Sequence, residues 1–289
     1  MKKHWKRKLS LLLTAGLVTV SLSGCVQRLE PQPDQTTPST TEPAPLTEDE
    51  CWQQMSAAAD KLLDLDQMDS SMNMDYRLTG AEEGPSIQMN MAMNMKLRVT
   101  DSEQIASGDM SYDLSDLLGM NISMDFYYEN GKMYIQTGQS KMCVSQSLEE
   151  GLGGTSTQSS LPPREVVASL TSERKDGSVT ATLQLDPDKA KEYMNDVVAG
   201  SGGEQGVSLS EYDIPVATVT VSWDEESGYL TSYQMDLQVE ASDESGETAT
   251  GRVVVKMNYN NPGEPVTITP PDDLDTYVDM GDDSSQLAA

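Results

Sequence analysis

The chain is poorest in histidine, phenylalanine and cysteine: its 289 residues include one histidine, one phenylalanine and three cysteines. The histidine, His4, lies in an N-terminal segment that we expect to be removed, which leaves the mature protein without an imidazole. This excludes Ser-His-Asp and Cys-His catalysis and any histidine-ligated metal site. No G-x-S-x-G, P-loop or G-x-G-x-x-G motif stands in a convincing context. The sequence therefore predicts no enzyme, no metal site and no cofactor.

Basic residues are also scarce, with 19 lysines and arginines against 47 aspartates and glutamates. Removal of residues 1–24 takes away five of the basic residues and no acid, and leaves 14 against 47. Such a chain repels polyanions, so we expect no nucleic-acid partner and no electrostatic attraction to anionic lipid.

The N-terminus has the pattern of an export signal. The basic stretch MKKHWKRK is followed by the apolar run LSLLLTAGLVTVSLSG, which is shorter than the ~20 residues of a membrane-spanning helix. The run ends at Leu22-Ser23-Gly24-Cys25, which resembles the lipobox of bacterial lipoproteins. The resemblance implies cleavage of a signal peptide, residues 1–24, and lipidation of Cys25. We therefore expect a lipid-anchored protein on the extracytoplasmic face of the cell membrane.

Three further segments follow the signal peptide. Residues 25–46 contain the lipidated cysteine and a Pro/Thr-rich linker with too few apolar residues to fold. Residues 47–274 read as one folded domain, and residues 275–289 as a loose acidic tail.

The domain reads as a few helices and about ten strands. A capping box at Thr47–Glu50 begins a helix, a short helix is expected over Arg164–Leu170, and Asp186-Pro187 begins a third helix that ends near Gly200. The strands alternate apolar and polar residues, and Asn130-Gly131 is a strong hairpin signal. One further short strand is expected at Val266–Ile268. Short turns and one polar face predict an antiparallel sheet that is wet on one side.

Methionines occupy alternate positions of the stretch IQMNMAMNMKLRV at residues 87–99. Methionine is unbranched and polarisable, so a row of it can repack around guests of different shapes, whereas valine or isoleucine would form a stiff wall. We predict that these methionines form the floor of an apolar groove for a flexible ligand. The predicted lining consists of Met72, Met74, Met89, Met91, Met93, Met95, Met124, Phe126 and Met235. Two alternatives are an irregularly packed core and a thioether site for Cu(I).

Cys51 and Cys143 remain after processing. An even pair in an exported chain is compatible with a disulfide, and equally with two buried thiols. The acidic stretches at 224–226 and 243–247 lack the spacing of a calcium-binding loop and read as solvated hairpin turns.

Two segments carry a resemblance, LLGMNISMDFYYENGKMYIQTGQSKM at 117–142 and NYNNPGEPVTITPPDDLDTY at 258–277. With the Met-x-Met strands, they resemble a bacterial lipoprotein family of unknown activity. That family is similar to the lipoprotein-carrier superfamily of the periplasmic chaperone LolA and the mycobacterial lipid-transfer lipoproteins. The resemblance implies an α+β fold, a curved antiparallel half-barrel with about three short helices on its concave side. It also implies an apolar ligand, but the ligand contacts of those carriers do not map onto motifs in this chain.

Two functional hypotheses follow. The first is a tethered carrier or sensor of a lipid-like molecule. The second is an interaction module that has a fully packed sheet and binds another envelope protein.

Overall fold

Three helices, two short 3-10 turns and one large sheet make up the described part of the chain. The computed structural model describes residues 44–80, 86–100, 102–148, 161–200, 213–242 and 248–281. The predicted signal peptide, Cys25 and most of the linker lie outside these residues. The helices are α1 (Glu48–Leu63), α2 (Ser115–Leu118) and α3 (Pro187–Gly200), and the 3-10 turns are Arg164–Val166 and Leu274–Thr276.

The strands are β1 (Gln67–Thr79), β2 (Ser86–Val99), β3 (Gln104–Leu114), β4 (Met120–Glu129), β5 (Lys132–Thr137), β6 (Ser140–Ser145), β7 (Val167–Lys175), β8 (Ser178–Leu185), β9 (Asp213–Asp224), β10 (Leu230–Ser242), β11 (Thr248–Tyr259) and β12 (Val278–Asp279). They form one sheet in the order β12-β6-β5-β4-β3-β2-β1-β11-β10-β9-β8-β7. Neighbouring strands are antiparallel except for β12, which runs parallel to β6. The sheet is open and curved, which confirms the predicted α+β half-barrel class.

The two faces of the sheet differ in polarity. Apolar residues at alternate positions share one face, which we call the inner face, and most of them belong to the main core. Polar and charged residues such as Asn73, Asp75, Asn94 and Lys256 occupy the opposite, outer face. This is the alternation expected of an antiparallel sheet that is covered on one side.

Helix α1 begins at the predicted capping box. The Thr47 amide donates to Glu50 Oε2 at 3.0 Å, and the Glu50 amide donates to Thr47 Oγ1 at 3.4 Å. The apolar stripe of α1 packs against β7, β9 and β10 on the inner face. The stripe consists of Cys51, Met55, Ala58, Ala59 and Leu62. Helix α3 packs mainly on β9 and the first 3-10 turn.

The helix predicted over Arg164–Leu170 is wrong. Only a 3-10 turn, Arg164–Val166, forms there, and the chain then continues as β7 at the edge of the sheet. Pairing with β8 places Leu170 beside Leu183 in the core, so ladder hydrogen bonds and burial override the local helical signal.

The hairpin predicted at Asn130-Gly131 is confirmed. Both residues have positive φ angles, 43° and 94°, and Glu129 pairs with Lys132 across the turn. A second turn at Gly138, which also has a positive φ of 59°, leads into β6, a strand that the sequence pattern did not reveal.

The C-terminal segment 260–281, which we call the strap, crosses the outer face. The strand predicted at Val266–Ile268 is wrong, because this stretch has no ladder partner and instead packs its apolar side chains on Ile105 and Tyr127. The expectation of a loose tail from residue 275 is also wrong as far as residue 281. Tyr277 stacks edge-on against Tyr134, with ring centroids 5.5 Å apart, and β12 pairs with the edge strand β6.

Candidate functional site

The predicted groove residues all lie on the inner face. The register pairs Met72 with Met93 and Met74 with Met91, and the row continues from Met93 through Met110 to Met124. On the other side of β1, Met74 is opposite Val255, which pairs with Met235. The alternation of the sequence therefore predicted the shared face.

Most of these residues are packed rather than open. Seven of the nine are at most 8% exposed: Met72, Met74, Met91, Met93, Met95, Phe126 and Met235. They belong to one continuous core together with α1 and the inner side chains of β8–β11. At six of these seven positions, all except Phe126, methionine fills an irregular interior, as the core alternative proposed.

An apolar strip on β2, β3 and β4 is less well covered. It consists of Met89, Met110, Tyr112, Met120, Ile122 and Met124, and we call it the open strip. Five of these side chains are half-buried and Met120 is 47% exposed. The two long helices make their main contacts with β7, β9 and β10, on the other half of the sheet.

Exposure increases along the open strip in one direction. On β4 it rises from Phe126, which is buried, through half-buried Met124 and Ile122 to Met120. On β2 it likewise rises from Met95 and Met93 to Met89. On both strands, exposure increases toward the strand ends that lie near α2, where Leu118 is 61% exposed. We call this the α2 end of the sheet. The inner face therefore opens to the outside at this end.

Sequence reasoning missed four members of the open strip, namely Met110, Tyr112, Met120 and Ile122. Their alternation did predict strands, but their place in the strip depends on the pairing register of β2, β3 and β4. Two of the predicted lining residues, Met89 and Met124, do belong to it.

Tyrosine hydroxyls supply the polar chemistry of the inner face. Burial raises the pKa of Tyr233 on β10, and the neighbouring Tyr193 and Tyr259 raise it further. Burial also raises the pKa of Tyr112 and of Tyr193. These phenols therefore stay neutral at physiological pH and can only donate or accept hydrogen bonds.

Of the two alternatives for Cys51 and Cys143, a disulfide or two buried thiols, the structure has the second: both thiols are free and buried. The reason is that they lie on opposite faces of the sheet. Cys51 belongs to the inner core, whereas Cys143 lies on the outer face, between its strand partners Tyr134 on β5 and Asp279 on β12. Burial raises the pKa of both thiols, which makes them poor nucleophiles.

A cleft of about 640 Å³ opens on the outer face and extends from β11 to β4. Its charged lining residues are Asp75, Arg77, Asp113, Arg252 and Lys256. The sequence pattern did not indicate it, because these residues come from separate strands.

No three His, Cys, Asp or Glu side chains lie together in a metal-binding arrangement among the described residues. The acidic stretch at 224–226 forms the turn between β9 and β10, where a hydrogen bond from Ser227 lowers the pKa of Asp224. The stretch at 243–247 lies outside the described residues. No described helix combines the length and the apolar character that a membrane crossing requires.

A family model described as a family of unknown function (DUF6612) matches residues 47–275. The chain belongs to this family. The match runs from the capping box of α1 to the second 3-10 turn, and so includes most of the strap. No curated protein matches the chain.

Several solved structures resemble the chain weakly. A LolA superfamily protein from Nitrosomonas europaea is 10% identical, with 76% of this chain and 94% of that one covered and a TM-score of 0.21. A DUF1329 family protein from Desulfovibrio piger is also 10% identical, with 74% and 94% covered and a TM-score of 0.23. A β-barrel-like DUF1849 protein from Brucella abortus is 11% identical, with 67% and 98% covered and a TM-score of 0.16. No conclusion about a ligand follows from these low values.

Proposed function

We propose that this DUF6612 protein is a non-enzymatic lipoprotein, anchored by a lipid on Cys25 to the extracytoplasmic face of the membrane, that binds a lipid-like molecule. The ligand's flexible apolar chain lies along the open strip and enters at the α2 end of the sheet.

The exposure gradient along β2 and β4 carries this proposal. An apolar surface that is half-buried along its length and exposed at its end can accept an elongated apolar chain. Each methylene group that such a chain buries would contribute about 0.8 kcal/mol to the binding free energy. A fully packed core would not expose Met120 and Leu118 at the end of the same row.

Methionine side chains suit a surface that accepts a flexible guest chain. Met89 and Met110 adjoin buried Met91 and Met93, and Met124 lies opposite Met110 on the next strand. A guest chain would therefore contact thioether side chains that can change rotamer without moving the sheet. Tyr112 adds a neutral hydroxyl that can bond the polar end of the guest.

The predicted location at the membrane supports the proposed binding of a lipid-like molecule. The predicted lipid on Cys25 and the Pro/Thr-rich linker would tether the domain to the bilayer, where lipid-like molecules are abundant. No electrostatic attraction is needed, which agrees with the excess of acidic residues.

The test is the binding of a fluorescent fatty-acyl probe by the purified full-length protein. Met124→Trp should fill the strip and weaken binding about tenfold, since the displaced contacts of one or two methylene groups account for that factor. The matched control is Ser123→Trp, which adds the same side chain to the adjacent position on the outer face. It should leave the affinity for the probe unchanged.

Two results would overturn the proposal. One is the absence of probe binding by the parent protein, combined with no lipid in an organic extract analysed by mass spectrometry. The other is an equal loss of binding in the two tryptophan variants.

A second candidate function is an interaction module, which is favoured by the seven tightly packed residues of the predicted groove. In that case the exposed apolar residues at the α2 end, Leu118 and Met120, would contact another envelope protein. Leu118→Glu would then abolish the protein contact and leave the acyl probe unaffected.

A further inference from the structure

The outer-face cleft differs from the open strip in position and in chemistry. It crosses five strands, β11, β1, β2, β3 and β4, which is a width of about 19 Å at the usual strand spacing. Its volume of about 640 Å³ lies in the range of small-molecule sites. The proposed lipid-like ligand makes no use of it.

Three cations, Arg77, Arg252 and Lys256, line the β1–β11 end of the cleft, together with the carboxylate of Asp75. Arg77 on β1 lies directly opposite Arg252 on β11, and like charges at directly opposed positions destabilise a sheet. Lys256 lies on the same face, four residues further along β11. In a chain of net charge −28, three cations around one cleft are a marked local exception.

Two of these cations form no ion pair with a carboxylate in the described part of the chain. Eight described lysine and arginine side chains form ion pairs, and Arg252 is one of them through its contacts with Asp236 at 2.9 and 2.6 Å. Neither Arg77 nor Lys256 forms an ion pair with a described residue, although aspartates are plentiful on this face.

Neighbouring side chains hold the arginines in place. Gln88 accepts a hydrogen bond from Arg77 Nη2 at 3.4 Å and donates to Asp75 Oδ2 at 3.3 Å. Arg252 Nε and Nη2 donate to the two carboxylate oxygens of Asp236. The remaining guanidinium N–H groups are left for a ligand.

The other end of the cleft carries hydroxyls and amides. Asn90, Ser111, Asn121 and Ser123 line it, about 5 to 14 Å from β1 at the usual strand spacing. These groups donate and accept hydrogen bonds without charge. The nearby carboxylate of Asp113 is already engaged by the Ser115 hydroxyl at 2.6 Å, which lowers the pKa of Asp113.

We propose that the cleft binds a phosphorylated polyol or sugar. The phosphate contacts Arg77, Arg252 and Lys256, and the hydroxyl groups reach the amides and serines on β2, β3 and β4. Arginine pairs suit phosphate because a guanidinium offers parallel N–H groups to two oxygens. The overall negative charge does not prevent this, because at physiological salt the screening length is about 8 Å and distant acids contribute little. The carboxylates near the cleft, Asp75, Asp113 and Asp236, already accept hydrogen bonds from Gln88, Ser115 and Arg252.

The proposal is tested by calorimetric titration of the full-length protein with sn-glycerol 3-phosphate at physiological salt, with glycerol and inorganic phosphate as separate titrants. Arg77→Gln and Lys256→Gln should each weaken binding of glycerol 3-phosphate about tenfold, the factor expected for one charge-assisted hydrogen bond. The matched control is Lys96→Gln on the outer face of β2, which removes the same charge outside the cleft, where Lys96 faces Asp69.

The outcomes are distinct. Binding of glycerol 3-phosphate that exceeds binding of inorganic phosphate, and that falls in the two cleft variants but not in Lys96→Gln, supports the proposal. Equal weakening in all three variants would mean a general charge effect and would overturn it. So would the absence of saturable binding at millimolar titrant, or tight binding of glycerol itself.

Two further measurements complete the test. Vesicles of phosphatidylglycerol decide whether the phosphate of a lipid headgroup or a soluble compound is the better ligand. Ser123→Trp should obstruct the cleft and leave the acyl probe bound, so this inference and the proposed function can fail separately. The circular dichroism of each variant establishes that its sheet is intact.

Discussion

At the residue scale, Gly108 shows how closely the inner face is packed. The single phenylalanine of the chain, Phe126, lies directly opposite Gly108 on the neighbouring strand. A Cβ atom at Gly108 would lie 2.1 Å from the carbonyl oxygen of Asn94 and 2.7 Å from the Phe126 ring. The backbone carbonyl cannot move freely, so glycine is required here for close approach rather than for an unusual φ angle.

We therefore expect Gly108→Ala to lower the free energy of unfolding by about 1–3 kcal/mol, the usual effect of overpacking. Urea denaturation of the full-length protein measures it. Ser111→Ala, an exposed position on the same strand, is the control and should change stability by less than about 0.5 kcal/mol. An unchanged stability in Gly108→Ala would contradict the packing described for Phe126.

At the element scale, the start of α1 determines where the helix lies on the inner face. The Leu46 amide donates to Ser172 Oγ on β7 at 2.9 Å, and Lys61 at the other end of the helix lies 4.0 Å above the Tyr229 ring. The helix is thus attached at both ends across β7–β10, and the capping box defines its first turn.

Replacement of the cap, Thr47→Ala, should destabilise the protein by about 1 kcal/mol at neutral pH. The hydrogen bonds from Thr47 lower the pKa of Glu50 below 4.5. The corresponding stabilisation is therefore complete above pH 4.5 and is lost as the pH falls through the folded-state pKa. The difference between parent and variant should accordingly shrink in acid. Thermal unfolding at neutral pH and at acidic pH measures this difference. Thr79→Ala, an exposed position at the end of β1, serves as the control.

At the scale of the whole molecule, the two edges of the sheet are covered by different segments. Strand β7 forms one edge. The Leu46 amide donates to Ser172 Oγ on β7, and the Ser172 hydroxyl donates to the Leu46 carbonyl, so the chain at residue 46 lies beside this strand. At the other end the strap closes β6: the Met280 amide donates to the Cys143 carbonyl at 2.9 Å, and the Ser145 amide donates to the Gly281 carbonyl at 3.2 Å. Covered edges do not recruit strands from other molecules.

A chain that ends after Thr276 should therefore expose β6 and the Cys143 thiol, which is 3% accessible in the intact fold. We expect faster labelling of Cys143 by a thiol reagent, located by peptide mass spectrometry, and self-association in sedimentation velocity. A chain that ends after Gly281 keeps β12 and is the control. If both truncations behave like the parent, the strap does not protect this edge.

The sequence alone determined the alternation of each strand, the capping box of α1, the hairpin at Asn130-Gly131 and the common face of the methionines. These features depend on contacts between residues close in the chain, or on a period of two that any neighbouring strand preserves. The tertiary structure decided which strands are neighbours, and hence that Met91 and Met93 are buried while Met120 and Met124 lie toward the open end. It also placed Cys51 and Cys143 on opposite faces, turned residues 167–175 into an edge strand and carried the strap across the outer face. It brought Arg77 opposite Arg252, a juxtaposition of residues 175 positions apart that only the β1–β11 register creates. Local patterns report which side of a strand is apolar, whereas exposure and charge pairing depend on partners that only the assembled sheet supplies.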